Sequence, residues 1–358
     1  MNRSDSNQPG RLRIRRALFG ALAGVALTAA GLAGYVYVQL RSFADAPLVG
    51  LGQATRIDVP IGTHLPGVVA LLQEQELHPG NAFYWRLLAR RLDVAGKLHA
   101  GEYALDVGTT PRRLLEKMAA GEVVQHKFTI VEGWTFRQLR EALDADADLK
   151  KDSCAPAPSC DDHAIMAKLG QPGTPPEGRF LPETYRFVKG MSDLDILRRA
   201  NDAMKKTLDK LWPERSPGTP LTSSDDALTL ASIVEKETAR ADERPRIARV
   251  FLSRLQRGMK LQTDPTVIYG MGAAYAGNIH RRDLDTDTPF NTYTRSGLPP
   301  TPIAMPGKAA IEAVLHPADT DALYFVARGD GSHAFSATLD AHNRAVAQYQ
   351  LNRQLHKR

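Results

Sequence analysis

One stretch of the chain decides the architecture of its second half: LASIVEKETARADERPRIARVFLSRLQRGMKLQTDPTVIY, residues 230–269. Leu230, Ile233 and Val234 precede Glu237 by seven, four and three positions, so these four side chains share one face of a helix. A carboxylate on an apolar face is costly when it is ionised and unpaired, and such a group responds by raising its pKa. A carboxyl that keeps its proton near neutral pH can act as a general acid. The spacing therefore predicts Glu237 as a candidate catalytic acid.

Two further interpretations concern the exposure of Glu235 and a possible ion pair of Glu237. Glu235 falls on roughly the opposite helix face, where we expect it to be solvated. Glu237 could instead form a structural ion pair with one of three arginines that follow it, Arg240, Arg244 or Arg246. Spacing alone leaves the catalytic and the ion-paired readings of Glu237 open.

The N-terminus predicts a membrane anchor. Residues 1–16 are polar and carry four arginines near their end, and residues 17–40 (ALFGALAGVALTAAGLAGYVYVQL) contain no charged side chain. About 20 apolar helical residues span a bilayer core. The arginines keep residues 1–16 in the cytoplasm and direct the rest of the chain to the other side. A cleavable signal peptide is the alternative, but the apolar run exceeds the usual signal core, and Tyr35 and Tyr37 are typical interface anchors.

Composition narrows the partners and cofactors. The 358 residues are 43% hydrophobic and 24% charged, which is typical of a globular chain with two or three modest domains. The net charge of +6 is not gathered into a basic stripe with interleaved aromatics, so we do not expect a nucleic-acid partner.

Cys154 and Cys160, in KDSCAPAPSC, are candidates for a disulfide that closes a small loop, or for two free thiols. A metal site is not expected at this pair, because no nearby His or Cys completes four ligands.

The order of predicted elements favours the α+β class. Residues 41–54 form a polar linker, and residues 55–144 alternate short strands and helices in a small α/β module. Residues 145–176 are rich in Asp, Pro, Cys and Gly and mark a boundary. Beyond them, helices and strands mix without a regular βαβ alternation, which predicts a larger α+β domain over residues 145–358.

Three polar clusters are expected to converge on Glu237. Their members are Gln262, Asp264 and Tyr269 in the first, Asn291 and Tyr293 in the second, and Glu183 and Tyr185 in the third. Amides and phenols on rigid turns suit the recognition of sugar hydroxyl and acetamido groups. The chain contains no HExxH, no P-loop and no Ser/His/Asp order, which favours carboxylate chemistry without a metal or another cofactor. His316 and His333 are read as structural or exposed residues.

Five long motifs resemble one bacterial family. They are ASIVEKET (231–238), GMKLQTDPTVIYG (258–270), NTYTRSGLPPTPIAMPG (291–307), HPADTDALYFVARGDGSHAFS (316–336) and HNRAV (342–346). Together they look like the membrane-anchored endolytic murein transglycosylases, the MltG/YceG-like family. The resemblance extends over nearly the whole chain, although its N-terminal part is weaker and the segment with the two cysteines matches no family pattern.

The resemblance implies an activity and a catalytic residue. It implies cleavage of the β-1,4 bond between N-acetylmuramic acid and N-acetylglucosamine in nascent peptidoglycan, with formation of a 1,6-anhydromuramoyl end that stops strand growth. The family's catalytic glutamate corresponds to Glu237, and Gln262, Asn291 and Tyr293 are expected to hold the substrate's N-acetyl and hydroxyl groups. The alternatives are a muramidase that uses water, with Asp264 or Glu183 as second carboxylate, and a non-catalytic peptidoglycan-binding scaffold.

The resemblance also implies a location and partners. It implies a single-pass protein of the bacterial inner membrane, whose YceG-like catalytic domain (145–358) lies in the periplasm. Residues 55–144 are then a LysM-like module that binds glycan strands, and proteins of the cell-wall synthesis machinery are the expected partners.

Overall fold

The computed structural model describes residues 9–154 and 161–351. The chain divides into two compact units, and the boundary lies between Gln125 and His126. This corrects the boundary that the sequence predicts after residue 144. The reason is strand pairing: the strand His126–Thr129 pairs with Thr184–Phe187, so the segment after Gln125 joins the second unit.

The first unit combines helices with one antiparallel strand pair. Its elements are α1 (Pro9–Asp45), β1 (Thr55–Val59), α2 (Leu65–Glu74), α3 (Ala82–Arg91), β2 (Gly101–Leu105) and α4 (Pro111–Ala120). β1 and β2 are antiparallel, with Ile57 opposite Tyr103. Trp85 and Tyr103 are fully buried in the core, and each polar end finds a carbonyl: Trp85 Nε1 donates to Pro79 O at 2.7 Å, and Tyr103 Oη to His99 O at 2.7 Å.

The first helix contains a candidate membrane span. Its part from Leu18 to Asp45 is long and apolar enough to cross a bilayer, by length and composition. The helix continues past residue 40 into the predicted linker. Ala44, Leu48 and Leu51 are buried in the core of the first unit, and His78 N donates to Val49 O at 2.8 Å. Residues 41–54 are thus packed against this unit through these three apolar side chains and are not a free linker.

The second unit is a helical assembly with two short antiparallel strand pairs. Its helices are α5 (Phe136–Ala145), α6 (Asp162–Lys168), α7 (Asp193–Leu211), α8 (Ser224–Glu237), α9 (Arg244–Gln256), α10 (Asp264–Met271), α11 (Arg281–Asp285), α12 (Lys308–Leu315) and α13 (Leu339–Val346), which continues as a π-helical turn (Ala347–Leu351). Its strands are β3 (His126–Thr129), β4 (Thr184–Phe187), β5 (Tyr324–Ala327) and β6 (His333–Ser336). β3 pairs with β4 and β5 with β6, both antiparallel. The mixture of helices and sheets agrees with the predicted α+β class.

Helix α8 is the central element of the second unit. Ser223 and Asp226 form a capping box at its start. Every residue from Ala227 to Val234 is buried, and the helix packs against α9 and α12. It ends at Glu237, because Thr238 is extended (φ −148°), and Pro245 lies in the first turn of α9. The end of a buried helix thus carries Glu237.

Candidate active site

A pocket of about 440 Å³ opens at the C-terminal end of α8. This volume lies in the range of small-molecule sites. Its lining residues are Glu237, Arg254, Leu261, Gln262, Thr263, Asp264, Tyr293, Tyr324, Phe325, Val326, Ala327, His333, Leu339, His342, Val346 and Gln350. The pocket therefore brings the end of α8 together with the start of α10 and with the C-terminal strands and helix.

Glu237 is half-buried on the wall of this pocket. Thr263 donates its hydroxyl hydrogen bond to Glu237 Oε1. Burial raises the pKa of Glu237 to about 7, and the charge of Asp264 adds to this rise. The Thr263 hydrogen bond and the charges of His333 and Arg254 act in the opposite direction. Near neutral pH the carboxyl is divided between its two protonation states, as a residue that serves as both acid and base requires.

The ion pair considered for Glu237 is formed by Glu235 instead. The Glu235 side chain is 5% exposed, and its Oε1 lies 3.3 Å from Arg244 Nη2. Its Oε2 accepts from Gly307 N at 2.9 Å, at the N-terminus of α12. The expectation that Glu235 is solvated is wrong, because α9 and α12 cover the face of α8 that an isolated amphipathic helix would expose to water.

The loop between α9 and α10 presents two of the predicted residues to the pocket. Gln262 adopts a left-handed conformation (φ +52°), and its backbone N–H donates to Thr292 O at 3.2 Å. Its side chain is exposed at the pocket, as is that of Asp264. Tyr293 Oη donates to Asp264 Oδ1 at 2.6 Å. Gln262, Asp264 and Tyr293 thus line the same pocket as Glu237.

Asn291 has a different surrounding from the one expected of a sugar-binding amide. It is 1% exposed and does not line the pocket. Its Nδ2 lies within hydrogen-bonding distance of the carbonyl oxygens of Asp283, Leu284 and Thr286, and its Oδ1 accepts from Tyr293 N at 2.9 Å. Because its amide is occupied by backbone groups, we correct its role: Asn291 holds the loop that carries Tyr293 and makes no contact with the pocket interior.

Three other predicted residues do not line the Glu237 pocket. Tyr269 donates its hydroxyl hydrogen bond to Glu177 Oε2 at 3.0 Å and lines a second cavity. Glu183 is exposed beside β4 and does not line the Glu237 pocket. Tyr185 is buried, with its hydroxyl on Leu181 O at 2.7 Å. The third predicted cluster therefore does not reach the pocket.

The C-terminal wall of the pocket contains His333, which the sequence predicts to be structural or exposed. His333 Nδ1 lies 2.7 Å from Glu243 Oε2, and His333 N donates to Glu243 Oε1 at 2.9 Å. Glu243 is buried, so its carboxylate holds the ring in one orientation. Arg254 is also buried on this wall, where it donates to the carbonyls of Leu323 and Leu261. No local signal in the sequence links these residues to Glu237.

Metal and disulfide chemistry are separate from this pocket. Over residues 9–154 and 161–351, no group of three or more His, Cys, Asp or Glu side chains is arranged to hold a metal ion. Cys160 lies outside the described residues, so its disulfide with Cys154 stays a prediction.

Two relatives of the chain have the same name. A protein of Bacillus subtilis named endolytic murein transglycosylase is 29% identical over 309 residues, which cover 82% of this chain and 84% of the relative. A protein of Streptococcus pneumoniae with the same name is 30% identical over 283 residues, which cover 70% of this chain and 51% of the relative. The match thus spans about half the length of the streptococcal protein.

A solved structure and a family model agree with these relatives. The crystal structure of a YceG-like protein from Listeria monocytogenes superimposes with a TM-score of 0.51 at 31% identity, and the match covers 82% of this chain and 99% of that one. The model of the YceG-like family matches residues 57–348. Because this match includes most of both compact units, the chain belongs to the YceG-like family.

Proposed function

We propose that this protein is an endolytic lytic transglycosylase that cleaves the β-1,4 bond between N-acetylmuramic acid and N-acetylglucosamine in peptidoglycan. The names of the relatives support the substrate class. One observation carries the proposal: Glu237 lies on a pocket wall and has no cation within ion-pairing distance among the described residues, while the nearby Glu235 is paired. A carboxyl in this setting is available for proton transfer.

In the first step Glu237 acts as an acid. Its proton passes to the glycosidic oxygen, the bond between that oxygen and C1 of the muramoyl residue breaks, and the sugar develops oxocarbenium character. The acetamido group of the same sugar stabilises the cation from within the substrate. The leaving strand departs as a neutral alcohol, and Glu237 becomes a carboxylate.

In the second step the same carboxylate acts as a base. It removes the proton from the C6 hydroxyl of the muramoyl residue, and the oxygen of that hydroxyl bonds to C1 to close the 1,6-anhydro ring. Glu237 regains its proton, and no water is consumed. Because one group serves both steps, its pKa of about 7 keeps both forms accessible at neutral pH.

The polar residues of the pocket orient the substrate. Gln262 offers an exposed amide, and the paired Tyr293 and Asp264 offer a phenol and a carboxylate at the same wall. These groups can form hydrogen bonds with acetamido and hydroxyl groups.

A hydrolytic muramidase is the second candidate, because Asp264 lies in the same pocket as Glu237. In that mechanism Asp264 would be the second carboxylate and water would attack C1. Mass spectrometry of digested glycan separates the two. Anhydromuramoyl ends are expected; reducing ends alone would refute transglycosylation and favour the hydrolase.

A Glu237→Gln variant tests whether the protein is an enzyme. Loss of an acid/base group lowers the rate about 10²–10⁴-fold, so this variant should leave strands intact under conditions where the parent cleaves them. If the variant cleaves like the parent, the assignment of Glu237 is wrong. If neither protein cleaves any strand, the non-catalytic scaffold becomes the better reading.

The N-terminal region fits a membrane-bound enzyme. We propose that the apolar part of α1 anchors the protein in the inner membrane with residues 1–16 in the cytoplasm, which exposes the second unit to newly made glycan. The first unit would bind strands as a LysM-like module, and proteins that synthesise the cell wall are the proposed partners.

A further inference from the structure

A second cavity, of about 730 Å³, lies in the same unit as the Glu237 pocket. Its walls come from the start of α5, from residues 175–177, from α10 and from the segment that contains Thr301 and Ile303. The volume falls within the usual range of ligand sites. The proposed reaction involves none of the cavity's lining residues.

The two cavities share the helices α8 and α10 in their walls. On α8, Glu237 lines the first cavity and its neighbour Lys236 lines the second; on α10, Asp264 lines the first and Pro265 the second. The Cα atoms of sequence neighbours are about 3.8 Å apart. Since two separate helices divide their adjacent residues in this way, the cavities lie side by side, within reach of one extended oligomer.

The second cavity has a buried polar group. Glu177 is 6% exposed, accepts from Phe136 N at 2.9 Å through Oε1, and accepts from Tyr269 Oη at 3.0 Å through Oε2. Burial raises the pKa of Glu177 to about 7. In its neutral form this carboxyl has a proton to donate to a ligand's carbonyl or hydroxyl oxygen.

Aromatic rings form another part of the cavity lining. Tyr269 and Phe290 pack edge to face, with ring centroids 4.8 Å apart, and Tyr275 is half-exposed beside them. A mainly apolar lining with a few fixed polar groups is typical of ligand sites. A pyranose ring, which presents apolar C–H faces and polar edges, matches this combination.

The charged groups of the lining are engaged within the protein. Arg137 Nη1 lies 3.4 Å from Glu141, Asp162 lies 2.6 Å from Arg140, and the Lys236 ammonium donates to Gly133 O at 3.2 Å. Each of these three charged groups thus already has a partner within the protein.

We propose that the second cavity binds N-acetylated sugar units of the same glycan strand, away from the bond that is cleaved. This inference rests on the proposed function and extends it. Two adjoining sites on one strand predict that long strands bind more tightly than short fragments, as an endolytic enzyme requires.

The test measures binding without turnover. Full-length Glu237→Gln protein in detergent is titrated calorimetrically with a peptide-free disaccharide and a peptide-free octasaccharide of peptidoglycan. Adding Tyr275→Ala, or separately the near-isosteric Glu177→Gln, should weaken octasaccharide binding about tenfold and disaccharide binding much less, because the Glu237 pocket alone can hold a disaccharide. Glu116→Gln, an exposed change in the first unit, is the matched control and should alter neither affinity.

Three outcomes would overturn the proposal. In both cavity variants, the octasaccharide affinity could equal that of the Glu237→Gln protein. The disaccharide affinity could fall as much as the octasaccharide affinity. The loss of affinity could also appear only with strands that carry stem peptides. Anhydro ends made by the unaltered protein test the proposed function separately. If those ends form while Tyr275→Ala and Glu177→Gln bind normally, only the second site is refuted.

Discussion

Replacing Glu237 with Gln should make the protein more stable at alkaline pH. The raised pKa means that the folded protein binds a proton that the unfolded chain has already released. The contribution of Glu237 to the stability of the parent is therefore greatest at low pH and declines as the pH rises from about 4.5 to about 7. A neutral glutamine avoids this loss of stability. The Glu237→Gln variant should therefore be inactive but have a higher free energy of unfolding at alkaline pH.

The size of the effect follows from the pKa shift. A change from 4.5 to about 7 corresponds to about 3 kcal/mol, because each unit is worth about 1.4 kcal/mol. Near pH 8 the variant should exceed the parent by about 3 kcal/mol in free energy of unfolding. Near pH 4, where the carboxyl is protonated in both states, the two proteins should be nearly equal.

Urea unfolding of the full chain in detergent, followed by tryptophan fluorescence, measures the difference. Trp134 and Trp212 report on the second unit and Trp85 on the first, so the shift should appear only in the transition of the second unit. A variant that is less stable than the parent at about pH 8, or equally changed at both pH values, would refute the burial of an ionisable Glu237.

Asp226 provides a control of opposite sign on the same helix. Burial raises its pKa, but hydrogen bonds from Thr222 and Ser223 outweigh that effect and leave the pKa lowered. Asp226→Asn should therefore destabilise the second unit by about 1 kcal/mol near pH 8, and the difference should shrink as the pH falls through the lowered pKa.

Three further predictions concern the pocket. Thr263→Val removes a hydrogen bond that lowers the pKa of Glu237, so the basic limb of kcat/KM, expected near pH 7 in the parent, should move to higher pH in strand-cleavage assays. Asn291→Ala leaves buried carbonyls without their donor and should lower the free energy of unfolding in urea by about 2 kcal/mol; an unchanged midpoint would contradict its loop-holding role. Glu243→Gln leaves one acceptor oxygen for the two contacts with His333, which weakens the hold on its ring, and should slow cleavage about tenfold while circular dichroism stays unchanged; full activity would show that the orientation of His333 is irrelevant.

Local patterns determined much of the fold. The capping box at Ser223, the break before Pro245 and the strand His333–Ser336 all follow from short-range rules about caps, proline and turns. The boundary between the units was not predictable in this way, because it depends on the pairing of β3 with a strand far along the chain.

The same division applies to the site. The helical period selected Glu237, and the predicted polar clusters included Gln262, Asp264 and Tyr293, which do share its pocket. Residue type alone could not distinguish these three residues from Asn291, since a side-chain amide can form hydrogen bonds equally well with a sugar and with a backbone carbonyl.

The sequence by itself therefore determined the family, the α+β class, the apolar N-terminal helix and the place of Glu237 on the apolar face of a helix. Only the tertiary structure decided that Arg244 pairs with Glu235, and that His333 joins the pocket through Glu243. The physical reason is the separation along the chain over which each interaction acts. Periodicity and caps act over one or two helical turns, whereas an ion pair or a pocket wall depends on which distant elements pack together.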